Sequence, residues 1–167
     1  ASTTYSDGAG VCTECHDDEH AMAVMSGPHG MAGDARTPAA NRGCESCHGP
    51  GGEHAKQEKQ FRVAQTFAGD DALAEAEACM GCHARGEQQH FLVSEHSRAD
   101  VGCGDCHKVH EREDRMLDRL GQAGACADCH ADQKANLNKF SRHPMREGKV
   151  VCTDCHNPHG DKGPHML

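Results

Sequence analysis

All twelve cysteines of the chain fall in six copies of one pattern, Cys-x-x-Cys-His. The pattern is typical of c-type haem attachment, in which two thiols bond the porphyrin and the histidine is the proximal iron ligand. Zinc sites do not require a histidine after every cysteine pair, and a disulfide framework would not repeat one spacing six times. We therefore predict six haem c groups. The attaching cysteines are Cys12, Cys15, Cys44, Cys47, Cys79, Cys82, Cys103, Cys106, Cys126, Cys129, Cys152 and Cys155. The proximal histidines are His16, His48, His83, His107, His130 and His156.

The composition leaves little apolar material for a core made of side chains. Leu, Val and Phe number 6, 8 and 4 among 167 residues, Ile and Trp are absent, and the net charge is −9. Such a composition is typical of disordered chains, but disordered tails rarely carry twelve cysteines and fifteen histidines. We expect the haems to supply the core. The acidic balance argues against nucleic acid or an anionic membrane surface and suits a basic protein partner.

Single histidines recur between the motifs in a regular order. The order motif, single histidine, motif, single histidine occurs three times, at about residues 10–60, 70–120 and 121–167. This pattern predicts one domain built of three dihaem repeats. His110 cannot easily serve the haem of His107, because residues three apart share a helix face and two axial ligands approach an iron from opposite faces. We therefore expect the recurring histidines to be distal ligands: His29, His54, His96, His110, His143 and His159.

Other side chains compete for the distal positions. His20, His90 and His165 lie outside the repeat, and any of them could replace one of the six, most plausibly His20 or His90. Methionine ligation would raise a haem potential. The methionines share no position in the repeat, however, and we expect them to pack against porphyrin edges. They are Met22, Met25, Met31, Met80, Met116, Met145 and Met166.

The local pattern predicts short helices separated by long irregular segments. Helices are expected at residues 69–83, with Asp70 as the N-cap, and at 110–121, ended by Gly121. Weaker helices are expected at residues 52–67 and 131–141, and no segment alternates long enough for more than a very short strand. The predicted fold class is a multihaem cytochrome c, with short α-helices and irregular coil wrapped around a haem array and almost no β-structure.

Several segments resemble the DmsE/MtrA-type decahaem c-type cytochromes, which pass electrons across or beneath the bacterial outer membrane. They are SGPHG followed by CESCHGPGGEH, then SEHSRADVGCGDCHKVH, and SRHPMREGKVVCTDCHNPHG. The first five motifs are also similar to the pentahaem donor cytochromes of periplasmic nitrite reduction. The resemblance implies bis-histidine haems that form a wire, with the same six distal histidines as the repeat. The resemblance covers the first six motifs of the decahaem members, and their last four motifs have no counterpart in this sequence.

These features predict an electron-transfer protein with no catalytic residue. We expect redox protein partners at both ends of the haem chain, no transmembrane segment, and a periplasmic or extracellular location of bacterial type, since the start at Ala1 suits a cleaved secretory signal. An outer-membrane conduit remains a possible setting. One alternative is a subunit of a conductive extracellular filament, in which a surplus histidine such as His20 binds a haem of the next copy. A less favoured alternative is a multihaem reductase, which needs an open haem, whereas every motif here ends in His.

Overall fold

The computed structural model describes residues 1–8, 10–69, 71–161 and 163. Within these residues there is no strand, so the expected class of short helices and irregular coil is confirmed. The α-helices are Gly10–Thr13, Glu19–Ala23, Glu45–His48, Gly52–Lys56, Ala72–His83, Glu95–Arg98, Cys103–Cys106, Arg119–Ala127 and Ala131–Asn136. The 3₁₀ turns are Val24–Ser26, Pro28–Gly30, Gly86–Val93 and Cys152–Asp154. None of these described helices is long and apolar enough to cross a bilayer.

Each Cys-x-x-Cys-His motif lies on a helical turn. In five motifs the histidine N–H donates to the carbonyl of the first cysteine at 2.8–3.0 Å, and the remaining motif ends the helix Ala72–His83. Residues i, i+3 and i+4 share one face of such a turn. The turn therefore directs both thiols and the imidazole of a motif to the same side, as attachment to one haem requires.

The chain divides into two compact units. The first comprises Ala1–Cys79 with Val109–Glu113, and the second comprises Met80–Lys108 with Asp114–Leu167. Motifs one and two lie in the first unit, motifs four to six lie in the second, and motif three crosses the boundary. The three dihaem repeats are a division by haem pairs, and they stay a prediction.

Two carboxylates fasten the N-terminal segment of the first unit. Glu53 accepts the main-chain N–H groups of Thr3 at 2.7 Å and Thr4 at 2.9 Å, together with the Ser2 hydroxyl. The hydrogen bond from Ser2, followed by that from Thr4, holds the pKa of Glu53 well below its usual range.

The buried Glu45 is the second of these carboxylates. It accepts the N–H of Ser6 at 2.8 Å and of Gly51 at 2.7 Å. These contacts hold residues 2–6 against the second motif and the helix that carries His54.

In the second unit, polar side chains tie the sixth motif to the helix Arg119–Ala127. Arg119 binds Asp154 at 2.8 Å, and this hydrogen bond lowers the pKa of the Asp154 carboxyl. The buried Gln122 accepts the N–H of Thr153 at 3.2 Å and its hydroxyl at 3.0 Å. Since the same helix runs into the fifth motif, these bonds fix motifs five and six relative to each other.

The apolar interior of the described residues is small. The buried hydrophobic residues are Ala23, Ala72, Ala76, Phe91, Met116, Ala123, Ala127 and Val151. Most are alanines, and each removes little apolar surface from water compared with a Leu or Phe. Larger apolar side chains are exposed instead, including Leu117, Leu120 and Phe140. This distribution leaves apolar surface for a planar cofactor to cover.

The predicted helix at residues 110–121 is wrong. Residues 111–118 form turns and bends, and the helix begins at Arg119, so that Gly121 lies in its first turn. The reason is Asp118, whose carboxylate accepts the N–H of Gly121 at 2.7 Å and caps the helix.

Other predicted helix boundaries also differ from the structure. The helix expected at 52–67 stops at Lys56, and the one expected at 131–141 stops at Asn136. The helix expected at 69–83 is present as Ala72–His83. Its expected N-cap Asp70 lies outside the described residues, whereas the Asp71 carboxylate accepts the Ala74 N–H at 2.7 Å, as an N-cap does.

Replacing Glu53 with Gln should lower the thermal unfolding temperature at neutral pH. Because the folded-state pKa is lowered, the ionised carboxylate stabilises the fold above its unfolded-state pKa of about 4.3. That contribution is lost as the pH falls toward the folded-state value. Circular dichroism from about pH 7 to about pH 3 should show the difference from the parent protein shrinking on acidification. Glu58→Gln, at an exposed position, is the control and should leave the transition unchanged. Equal transitions for E53Q and the parent at neutral pH would contradict the anchoring role.

Candidate haem-binding site

The structure brings four motif histidines close to four of the recurring single histidines. Each pair has its ring centres about equally far apart, although the partners are distant in sequence. In the first unit the pairs are His16 with His54 at 6.4 Å and His48 with His110 at 6.1 Å. In the second unit they are His130 with His96 at 6.0 Å and His107 with His159 at 6.1 Å.

The common spacing fits two axial ligands of one metal ion. An imidazole nitrogen binds a first-row transition metal at about 2 Å, so two imidazoles on opposite sides of one ion have ring centres about 6 Å apart. Two imidazoles in direct stacking contact would lie closer together. Cysteine thiols and imidazoles are also the side chains that attach and ligate haem. The donor set and the spacing therefore both fit haem.

Main-chain carbonyls orient several of these rings through Nδ1. His48 Nδ1 donates to the Gln65 carbonyl at 2.8 Å, and His54 Nδ1 donates to the Phe61 carbonyl at 3.1 Å. In the second unit, His96 Nδ1 donates to the Pro158 carbonyl at 2.9 Å. A metal-binding histidine usually donates its other ring N–H in this way, which fixes the tautomer and leaves Nε2 for the metal.

The pair His107 and His159 has different surroundings. His107 Nδ1 contacts the Asp114 carboxylate at 2.6 Å, so its acceptor carries a charge. His159 Nδ1 is buried and has no hydrogen-bond partner among the described residues. Burial, followed by the proximity of His107, lowers the pKa of His159 and favours the neutral ring that metals bind.

The surplus histidine His20 contributes to the site through its backbone. Its carbonyl accepts the Nδ1 hydrogen of His110 at 3.2 Å, and its ring centre lies 5.1 Å from that of His110. Sequence reasoning missed this role, since a carbonyl acceptor leaves no side-chain signal. The His90 carbonyl lies close to Gly160, and His165 is outside the described residues.

The other four expected ligands are not joined into pairs by the contacts above. His83 ends the helix Ala72–His83, and His156 follows the 3₁₀ turn of the sixth motif. His29 lies in the turn Pro28–Gly30, where its carbonyl accepts the Ala39 N–H at 3.1 Å. His143 is exposed. Their ligand roles stay predictions.

Cysteines of successive motifs lie side by side. Burial, followed by the adjacent Cys44 thiol, raises the pKa of Cys12 to about 11. Burial, followed by the adjacent Cys152 thiol, raises the pKa of Cys126 to about 12. The first cysteine of motif one thus meets the first cysteine of motif two, and motif five meets motif six in the same manner. Haems attached there would lie close together.

A glycine follows two of the paired histidines, His48 and His159, at points where the backbone lies close to another segment. Gly160 has φ +97°, and a Cβ on it would lie 2.9 Å from both the His90 carbonyl oxygen and Ser94 Cβ. Gly49, after His48, has φ +76°, and a Cβ there would lie 2.9 Å from Ala64 Cβ. Glycine permits both the backbone conformation and the close approach.

Comparison with protein families identifies two overlapping matches. The model described as cytochrome c-type protein NrfB-like matches residues 44–120, and the cytochrome c3 model matches residues 95–165. Together they take in the second to sixth motifs.

Two curated proteins are similar over most of the chain. Multiheme cytochrome MtrA of Shewanella baltica is 38% identical over 157 residues, which are 92% of this chain and 46% of MtrA. Cytochrome c-type protein NrfB of Escherichia coli is 29% identical over 137 residues, which are 77% of this chain and 68% of NrfB. The chain therefore spans about half the length of MtrA and about two thirds of NrfB.

Replacing Gly160 with Ala should destabilise the second unit by about 1–3 kcal/mol, because a Cβ is strained at this φ and meets two neighbours. Guanidinium unfolding would measure the change. The matched control is Gly124→Ala in the helix Arg119–Ala127, where a Cβ would enter open space. That control should be stabilised by about 0.5–1 kcal/mol through helix propensity. Equal behaviour of the two variants would contradict the close approach at Gly160.

Proposed function

Because the chain belongs to the multihaem c-type cytochromes, we propose that it transfers electrons through six covalently bound haems, each held between two histidines. The observation that carries the proposal is the set of four histidine pairs with ring centres 6.0–6.4 Å apart. Every pair joins one motif histidine to one of the recurring single histidines. Such pairing is the arrangement that bis-histidine ligation requires.

Cysteines, histidines and main-chain carbonyls have different roles in holding the cofactor. Haem supplies a reversible ferric–ferrous couple when it is bound. The cysteines would hold it covalently, and the two histidines of a pair would both bind the iron and so exclude a substrate from it. Main-chain carbonyls at Nδ1 keep the rings in orientation. A chain built in this way suits electron transfer and does not need a catalytic residue.

The ligand pairs link motifs that are separated in the sequence. His96 and His110 flank the fourth motif, yet His96 lies against His130 of motif five and His110 lies against His48 of motif two. Short segments thus supply ligands to motifs other than their own. With the adjacent cysteines of motifs one and two and of motifs five and six, this interleaving supports closely spaced haems within each unit.

The remaining ligand assignments follow from counting. The third and sixth motifs present His83 and His156, and the recurring set still offers His29 and His143. We propose that His29 and His143 are the distal ligands of these two haems.

We further propose redox proteins as partners at the two ends of the haem series. The net charge of −9 favours partners with a basic docking face. Covalent haem attachment takes place outside the bacterial cytoplasm, so we place the protein in the periplasm, at the outer membrane or outside the cell. A filament of identical chains would require a histidine that binds a haem of the next copy, and analytical ultracentrifugation of the holoprotein would detect such assembly.

The purified holoprotein should carry six covalent haems and give a fully low-spin ferric spectrum. Six complete motifs and six further histidines are the reason for this expectation. Denaturing mass spectrometry would count the haems, and optical and EPR spectra would report the spin state. Five or fewer haems would contradict the count. A persistent high-spin signal, or rapid cyanide binding by the resting protein, would favour a reductase with an open iron.

Replacing His110 with Ala should convert one haem to high spin, or to a substitute ligand, and raise its potential while all six haems stay attached. Attachment needs the cysteines, whereas His110 faces His48 at the distance of a second axial ligand. Optical spectroscopy and redox titration would detect the change.

The matched control for the His110 variant is His20→Ala. It removes the neighbouring ring but retains the carbonyl that accepts from His110. This variant should keep the parent spectrum. An H110A protein with an unchanged spectrum and redox titration, or a high-spin H20A protein, would show that the ligand has been assigned to the wrong histidine.

A further inference from the structure

A carboxylate contacts the proximal histidine of the fourth motif. His107 Nδ1 lies 2.6 Å from Asp114 Oδ2, and the two side chains retain 33% and 17% of their exposure. Hydrogen bonds to an ionised acceptor are short and about twice as strong as those between neutral groups. Partial burial also shields this contact from water, which strengthens its electrostatic effect.

The Asp114 carboxylate is held in position by its other contacts. Its second oxygen, Oδ1, accepts the N–H of the buried Met116 at 2.8 Å. The Met116 carbonyl in turn accepts from the buried Gln122 amide at 3.1 Å. The neighbouring Arg115 is directed elsewhere, since its guanidinium binds Asp128 at 2.7 Å. The charge of Asp114 is therefore presented to His107 and is not neutralised by the adjacent arginine.

Neutral acceptors serve four other paired histidines. His48, His54, His96 and His110 all donate to main-chain carbonyls. On the opposite side of the same pair, His159 Nδ1 is buried without a described partner. The two rings of this pair therefore differ in their surroundings: the Asp114 carboxylate contacts His107 Nδ1 directly, whereas the Glu87 carboxylate acts on His159 only through space.

We propose that Asp114 is a positioning residue that lowers the reduction potential of the haem held between His107 and His159. The inference rests on the function proposed above. A carboxylate at Nδ1 raises the basicity of the imidazole and stabilises the more highly charged ferric state. Reduction adds one electron, supplied by the redox partner or the titrant, and leaves the proton on Nδ1 of His107. The fourth haem would then have a lower reduction potential than a haem whose histidines donate to main-chain carbonyls.

The test is Asp114→Asn in the holoprotein. The amide keeps an acceptor oxygen of similar shape but removes the charge. We expect the preference of one haem for the ferric state to fall about tenfold, which raises its one-electron potential by about 59 mV. The other five components of the redox titration should stay in place. Asp114→Glu restores a carboxylate and should recover part of the shift.

EPR of samples poised at known potentials can identify which haem has moved. The rings of His107 and His159 are nearly parallel, at 9°, whereas those of His96 and His130 are inclined at 65°. The angle between ligand planes splits the iron d orbitals, so the two haems should give ferric signals of different anisotropy. The shift should appear in the signal expected for near-parallel planes and not in the one for steeply inclined planes.

Glu113→Gln is the matched control, since it removes the charge of the exposed carboxylate next to Asp114 in the sequence. An unchanged titration in D114N, or an equal shift in E113Q, would overturn the proposal. The haem count, measured by mass spectrometry, and the spin state of the parent protein distinguish a failure of the Asp114 role from a failure of the proposed function. If the parent carries six low-spin haems and D114N is unaltered, the role of Asp114 fails and the proposed function stands. If the parent lacks low-spin haem, the proposed function itself fails.

Discussion

The fold depends on one helical turn, closed by a hydrogen bond from the motif histidine N–H to the carbonyl of the first cysteine. That turn places two thiols and one imidazole on one face within five residues. A single turn is unfavourable on its own, because it fixes several backbone dihedrals for one hydrogen bond, and it contributes almost no apolar burial. The buried hydrophobic residues of the described chain are mostly alanines, so side-chain packing alone offers little to offset the loss of conformational entropy. Cross-links between the turns must supply the remaining stabilisation of the fold.

Pairs of histidines can provide those cross-links. His48 and His110, or His107 and His159, come from segments far apart in the chain and meet at the distance of two ligands of one ion. When metal binding orders a site that the unfolded chain lacks, the binding free energy becomes folding free energy. Polar contacts then complete the alignment. Arg119 with Asp154 and Gln122 with Thr153 hold the sixth motif against the helix that leads into the fifth.

The sequence predicts the helical turns of the motifs well, but it does not predict which histidines meet, and the reason is physical. Cys-x-x-Cys-His is a local pattern whose geometry follows from helix periodicity, so its residues can be identified without a structure. The partner of His48 depends on tertiary folding, and its spacing along the chain did not indicate His110. The sequence predicts one helix at 110–121, whereas in the structure Asp114 contacts His107 and Asp118 caps a helix that begins at Arg119.

Uniform motifs need not produce uniform potentials. If every haem had the same two ligands and the same surroundings, an electron would have no energetic preference along the series. The structure surrounds identical imidazoles with different groups: carbonyls at His48 and His96, a carboxylate at His107, and buried isolation at His159 Nδ1. Axial-ligand basicity, burial and nearby charge are the means by which a protein adjusts a haem. Because these groups lie outside the repeated motif, they can vary while attachment and ligation stay constant. The irregular coil between motifs is therefore where a chain of this kind can set the direction and ease of electron flow.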